Sequence, residues 1–191
     1  VFALDIMSKW LVVNHFGIDA MNAGSRDKSK MITIIPDFLY IAGSINDKAA
    51  FSLGPDRIIL VIISIVLSSG LIAYYVYATR KGKLTTTIKI ALALMIAGAI
   101  GNLIDRAFYW PSTTGFNGVV DWIQVFFGTY PFPMFNIADS SLVIGVIILL
   151  VVVIIEAIQD AIKASKEGKY KYSPKELEAQ KAKENEENKD K

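Results

Sequence analysis

Cysteine is absent from the 191 residues, and histidine occurs once, at His15. Without Cys there is no disulfide, no thiolate nucleophile and no Cys-ligated metal. One His cannot build a multi-His metal site. The sequence therefore calls for no metal and no cofactor. An excess of one charge is missing too: Lys and Arg number 20 against 18 Asp and Glu, for a net charge of +2. Lys163–Lys191 holds nine Lys against seven acids, and the remainder balances at eleven each. No basic field marks a nucleic-acid partner.

Charge is lacking altogether from long stretches. Ile58–Thr79 runs 22 residues without one, and Ser140–Ile155 is also uncharged. Leu84–Ile104 carries only Lys89, near its end, where the ammonium can snorkel. About 20 apolar residues cross a hydrocarbon core ~30 Å thick. With 53% hydrophobic residues and a mean hydropathy of +0.42, the chain reads as a polytopic membrane protein.

The runs predict four transmembrane helices, at about 1–17, 57–79, 84–107 and 138–162. The first, "VFALDIMSKWLVVNHF", is short and reads as a span lacking its first few residues. It has neither the basic start nor the small-residue cleavage site of a signal peptide. Orientation follows from Lys and Arg in short loops. The link "RKGKLTTTIK" holds four basic residues and no acid, and the tail is Lys-rich, whereas residues 107–138 contain no Lys or Arg. Loop 18–56 offsets its basic residues with Asp. Both termini and the 80–89 link are thus expected in the cytoplasm, and loops 18–56 and 107–138 outside. The tail 163–191 reads as a charged cytoplasmic extension without assigned chemistry.

The outer loops differ in character. "MITIIPDFLYIAGSINDKAAFSLG" is β-prone and punctuated by Pro and Gly, which suits short strands. The second loop is aromatic and interrupted by Pro111, Pro131 and Pro133, so no single helix runs through it. Its "GVVDWIQVFFG" is expected as a short helix lying in the membrane interface, where Trp is favoured.

Polar side chains in apolar company need a reason. Asp5 and Lys9 share one helix face in the favourable order, either as a self-neutralised pair facing the bundle or in touch with a substrate. In "AGAIGNLIDRAFYW", Gly98 and Gly101 permit close helix approach. Asn102, Asp105 and Arg106 follow at the helix end, as interhelical glue or as site residues. Asp121 stands in "GVVDWI", where burial beside aromatics raises a carboxyl pKa. Asn136 and Asp139 in "FNIADSS" open the last apolar run with capping-box spacing, a carboxylate suited to the helix dipole. A cap alone explains Asp139. However, helix three ends where helix four begins, and the loop carrying Asp121 joins them. The polar residues can therefore converge at one depth. Two Asp sharing a proton supply an acid and a base, enough to activate water against a peptide carbonyl.

In series, Asp5-x-x-x-Lys9, "INDKAAFSLG", "GNLIDR", "GVVDW" and "FNIADSS", set between four apolar helices, resemble the lipoprotein signal peptidases, or signal peptidase II. The resemblance spans about residues 5–160. It implies an all-α membrane protein of the bacterial cell (inner) membrane. The expected architecture is a four-helix transmembrane bundle, residues 1–162, with a small extracytoplasmic β-rich cradle and a short interfacial helix. It also implies an intramembrane aspartic endopeptidase that removes signal peptides from prolipoproteins, cutting before a diacylglyceryl-modified Cys. The family's catalytic dyad falls on Asp121 and Asp139. Asp5, Lys9, Asn46, Asn102, Asp105, Arg106 and Asn136 match positions that bind substrate or support the dyad. Expected partners are lipid-modified signal peptides and membrane phospholipid, with the chain a monomer. Lys48 stands where the family usually has Gly, and Trp122 where Phe is common. "AMNAGSRDKSK" is a longer excursion than usual. An alternative from another class is a small proton-coupled transporter using intramembrane Asp residues. It is disfavoured by the lack of an internal repeat and by the placement of the carboxylates away from the midplane. A third reading is an assembly factor whose polar groups only join helices.

Overall fold

The computed structural model describes residues 1–17, 21, 28–46, 57–108, 118–166, 176, 178, 179, 181 and 182. The expectations resting on Lys48, the rest of "DKAAFSLG" after Asn46, and most of the "AMNAGSRDKSK" excursion and the tail lie outside them. Two compact units are formed, Val1–Leu149 and Leu150–Lys191.

Four long helices occur among the described residues: α1 (Phe2–Phe16), α2 (Arg57–Arg80), α3 (Thr86–Phe108) and α4 (Ile137–Lys166). Three have the length and apolarity to cross a membrane: Ile58–Arg80, Thr86–Phe108 and Ile137–Ser165. Their large aliphatic side chains, Ile62, Val66, Ile147 and Val153 among them, are mostly exposed. A soluble protein would bury such surface, but in a bilayer it meets lipid tails as apolar as itself. At 15 residues, α1 is shorter than the ~20 a crossing takes. It presents Leu4, Met7, Trp10 and Leu11 outward and turns Asp5, Lys9 and Val12 inward.

Helices α2 and α3 are joined by a five-residue link. Gly82, at φ 65°, adopts the left-handed conformation that lets the Lys83 N–H reach back to Ala78 O at 3.0 Å. The α3–α4 crossing is tight because it is lined by glycine. A Cβ on Gly98 would collide with the Ala138 carbonyl, and one on Gly145 would lie 2.7 Å from the Ala91 carbonyl. Ser141 adds a hydrogen bond across the same contact, 2.8 Å to Leu94 O. Small residues thus let the backbones meet, as association in lipid requires.

The strands β1 (Ile32–Ile35), β2 (Leu39–Asn46), β3 (Val119–Phe127) and β4 (Tyr130–Pro131) form one antiparallel sheet in the order β1-β2-β3-β4. The β-prone first loop does form strands. The second loop corrects the expectation: Val119–Phe127 is a strand, not a short interfacial helix. Seven of its nine residues are β-branched or aromatic, and β2 offers a backbone edge to Val119–Val125. Pairing satisfies N–H and C=O groups that a helix laid on the interface would satisfy only within itself. Register sets Ser44 opposite Asp121 and Asn46 opposite Val119. The buried Gln124 braces the β3–β4 turn through Phe132 O at 2.7 Å. Val120 packs with Val12 and Met21, which seats the sheet on α1.

Candidate active site

The site assembles where α1, α3, β3 and the first turn of α4 meet. At its base lies a cluster of buried charges. Lys9 Nζ contacts Asp5 Oδ2 at 2.7 Å and Asp105 Oδ2 at 2.9 Å, all three residues being at most 1% exposed. Further hydrogen bonds offset much of the cost of burying such a cluster, although Asp105 Oδ1 has no hydrogen-bond partner among the described residues. Lys9 donates a third bond to Asn102 Oδ1 at 3.2 Å. Asp5 Oδ1 accepts the Ala138 N–H at 2.8 Å, and Asp105 Oδ2 accepts the Val120 N–H at 3.2 Å. Each carboxylate therefore anchors a second element: Asp5 the start of α4, Asp105 the start of β3. Gly101 makes room, since a Cβ there would lie 2.8 Å from Asp5 Oδ2.

Above the charges lies an amide layer. Asn136 is fully buried, and its Nδ2 reaches Asn102 Oδ1 at 3.1 Å, Val120 O at 3.3 Å and Asp121 Oδ1 at 2.8 Å. Asn102 Nδ2 donates to Asp139 Oδ1 at 2.7 Å. The capping box expected from the Asn136/Asp139 spacing is formed in both directions. The Asp139 N–H donates to Asn136 Oδ1 at 2.9 Å, and the Asn136 N–H to Asp139 Oδ2 at 3.2 Å. Asn46, at the end of β2, donates to Asp121 Oδ2 at 3.1 Å.

Both Asp121 and Asp139 line one cavity of about 440 Å³, together with Asn46, Asn102 and Arg106. Elsewhere its wall is largely apolar, from Leu67, Phe132, Leu142 and Val143. Burial first, then the negative charge of Asp139, push the Asp121 carboxyl up to about 7, and the bonds from Asn46 and Asn136 only partly oppose this. Two carboxyl groups in one cavity, one of them inclined to hold its proton near neutrality, are an arrangement that acid–base chemistry can use. Among the described residues no group of three or more His, Cys, Asp and Glu is placed to hold a metal ion.

A family model described as signal peptidase (SPase) II matches residues 1–155. The chain belongs to the signal peptidase II family. A lipoprotein signal peptidase of Listeria monocytogenes serovar 1/2a is 36% identical over 156 residues, covering 82% of this chain and 89% of that one. The lipoprotein signal peptidase of Geobacillus thermodenitrificans is 36% identical over 152 residues, covering 79% and 82%. Among solved structures, a bacterial membrane enzyme determined at 2.3 Å is similar with a TM-score of 0.64 and 30% identity, over 82% of this chain and 84% of that one. A second, at 1.9 Å, has a TM-score of 0.53 and 31% identity, over 79% and 92%.

Set in this signal peptidase II framework, every site residue expected from sequence falls in one place. Asp121, Asp139, Asn46, Asn102 and Arg106 face the cavity, Asn136 links four of them or their neighbours, and Asp5, Lys9 and Asp105 lie beneath. Two polar residues of the cavity wall escaped the sequence reading, Ser64 and Ser68 of α2. Their signal was available: two hydroxyls four residues apart in an uncharged span lie on one helix face.

Proposed function

We propose that this chain is an intramembrane aspartic endopeptidase that removes signal peptides from diacylglyceryl-modified prolipoproteins, cleaving before the lipidated Cys. The observation carrying the proposal is the pair Asp121 and Asp139 on one cavity, tied through Asn102 and Asn136. Family membership and the lipoprotein signal peptidase relatives support the substrate class.

In this reading Asp139 begins ionised. Its oxygens accept two N–H groups, and it stands in the first turn of α4, where the helix dipole favours negative charge. Asp121, held up by burial, begins protonated. A water between them loses a proton to Asp139 as its oxygen attacks the scissile carbonyl carbon. Asp121 gives its proton to the carbonyl oxygen, which leaves a neutral gem-diol. Asp139 then delivers its proton to the amide nitrogen as the C–N bond breaks, and a gem-diol hydroxyl returns a proton to Asp121. The product carboxyl and amine leave with the dyad restored. Asn46, Asn102 and Asn136 orient the dyad. Lys9 holds Asn102 while Asp5 and Asp105 hold Lys9. Arg106 faces the cavity to receive a peptide carbonyl or a phospholipid headgroup.

The same reading makes α1 the fourth crossing, places both termini in the cytoplasm and sets the cavity near the extracytoplasmic surface. Residues 1–162 form the peptidase, 163–191 a charged tail, and the working species is a monomer. Cleavage of a diacylglyceryl prolipoprotein by the purified chain in detergent tests the function. Asp121→Asn and Asp139→Asn, made separately, should each abolish it. Full cleavage by either variant at normal protein level removes that residue from the mechanism, and cleavage indifferent to lipidation of the Cys removes the substrate assignment.

A further inference from the structure

Helix α2 is the most lipid-exposed of the crossings, yet it contributes one wall of the cavity through Ser64, Leu67 and Ser68, which share a helix face. Ser68 is only 3% exposed, one of two buried residues among those described on α2. Its Oγ has no hydrogen-bond partner among the described residues, not even a carbonyl of its own preceding turn, where a helical serine usually finds one. A hydroxyl withdrawn from water and left unpaired costs stability, so its retention on a cavity wall points to a partner that arrives with the substrate.

The depth of Ser68 identifies that partner. Helices α2 and α3 run antiparallel, joined by a short link, so the start of α2 and the end of α3 share one side. Ser68 lies eleven residues from the start of α2, about 16 Å at ~1.5 Å per residue, whereas Asn102 lies six from the end of α3, about 9 Å. Ser68 is therefore deeper than the amide that holds Asp139. A peptide must be unwound for a carboxylate pair to reach its scissile bond. Inside a bilayer, each unwound carbonyl needs a donor from the protein.

We infer that Ser68 is a substrate-positioning residue for the proposed peptidase. Its Oγ–H donates to a backbone carbonyl of the membrane-buried, signal-peptide side of the cleaved chain. This rests on the endopeptidase reading and adds to it the wall against which the unwound segment is held. Ser68 is not part of the proton-transfer chemistry, so its loss should appear in substrate binding rather than in turnover.

The test compares the full-length chain with Ser68→Ala and Ser68→Thr in detergent on a diacylglyceryl prolipoprotein. Loss of one neutral hydrogen bond corresponds to roughly 3- to 10-fold in kcat/KM, carried by KM for Ser68→Ala with kcat nearly unchanged. Ser68→Thr keeps the hydroxyl and should recover most of the loss. The melting temperature of Ser68→Ala should equal or exceed that of the parent. A substrate series with one peptide bond at a time replaced by an ester, whose carbonyl accepts more weakly, locates the contact. One position should lower kcat/KM in the parent and lose that penalty in Ser68→Ala. An unchanged KM in Ser68→Ala, with the parent active, overturns the role of Ser68 and leaves the peptidase standing. A fall in kcat and melting temperature that threonine does not rescue shows a structural role and also overturns it. A parent no more active than Asp139→Asn overturns the peptidase reading, and the role of Ser68 with it.

Discussion

Asn136 donates from its amide nitrogen to Oδ1 of Asn102 over 3.1 Å. Because that same oxygen accepts from Lys9, the Asn102 amide can turn only its nitrogen toward Asp139, 2.7 Å away. A buried cation on α1 thus fixes the donor that meets a carboxylate on α4. The two asparagines make the orientation of the site a consequence of helix packing.

Replacing either carboxyl of the pair should stop cleavage while sparing the fold. Asp121→Asn and Asp139→Asn are each expected to lower kcat by roughly 10²–10⁴-fold, the range general acid–base catalysis supplies. Amides fit the surrounding donors less well than carboxylates, so melting temperatures in detergent must be compared alongside. Normal folding with undiminished turnover would count against the dyad.

The pH dependence follows from Asp121. Its carboxyl is raised to about 7 by burial, so the protonated acid required for catalysis is lost above that pH. The kcat/KM profile should fall on the alkaline side with a midpoint near 7. The stability link has the same sign. The folded state holds the proton more tightly than the unfolded chain does. The resulting stabilisation is complete below the ordinary carboxyl pKa of 3.8, declines as pH rises and is gone above about 7. Asp121→Asn should flatten this part of the stability curve.

Asn46→Ala offers a finer probe. The bond from Asn46 holds the Asp121 pKa down, so its removal should move the alkaline limb to higher pH, with a modest loss of kcat/KM. A limb that stays in place or moves down would show that Asn46 does not act on Asp121.

Lys9→Met should be severely destabilising. It leaves Asp5 and Asp105 buried without their cation, a loss of about 3–5 kcal/mol. Adding Asp5→Asn and Asp105→Asn should recover part of that, because no unpaired charge remains. Thermal unfolding in detergent measures both, and a Lys9→Met protein as stable as the parent would contradict the charge balance drawn above.

At Gly98 even alanine should be costly. Its Cβ would meet the Ala138 carbonyl, which is backbone and cannot rotate away. Gly98→Ala is expected to cost about 1–3 kcal/mol by overpacking. By pulling the first turn of α4 off α3, it should also lower cleavage. Gly70→Ala, where a Cβ meets nothing, is the matched control.

The long uncharged runs by themselves determined α2, α3 and α4, because a bilayer rewards apolar length and requires each span to satisfy its own backbone. The sequence also determined the capping box of Asn136 and Asp139, since it closes within four residues. The polar motifs and their order were enough to reveal the family, and Asp121 with Asp139 as the pair to examine. Tertiary structure decided the rest. Whether "GVVDWIQVFFG" became helix or strand depended on β2, an edge supplied from another loop. From sequence Asp5 and Lys9 only share a helix face, yet Asp5 reaches Ala138 and Lys9 reaches Asp105 and Asn102, contacts across 93 to 133 residues of chain. The unpaired hydroxyl of Ser68 became informative only once a cavity was seen beside it. Local physics sets what each segment can be, but which buried donor meets which acceptor is fixed only when distant segments pack, and there the chemistry of this site is decided.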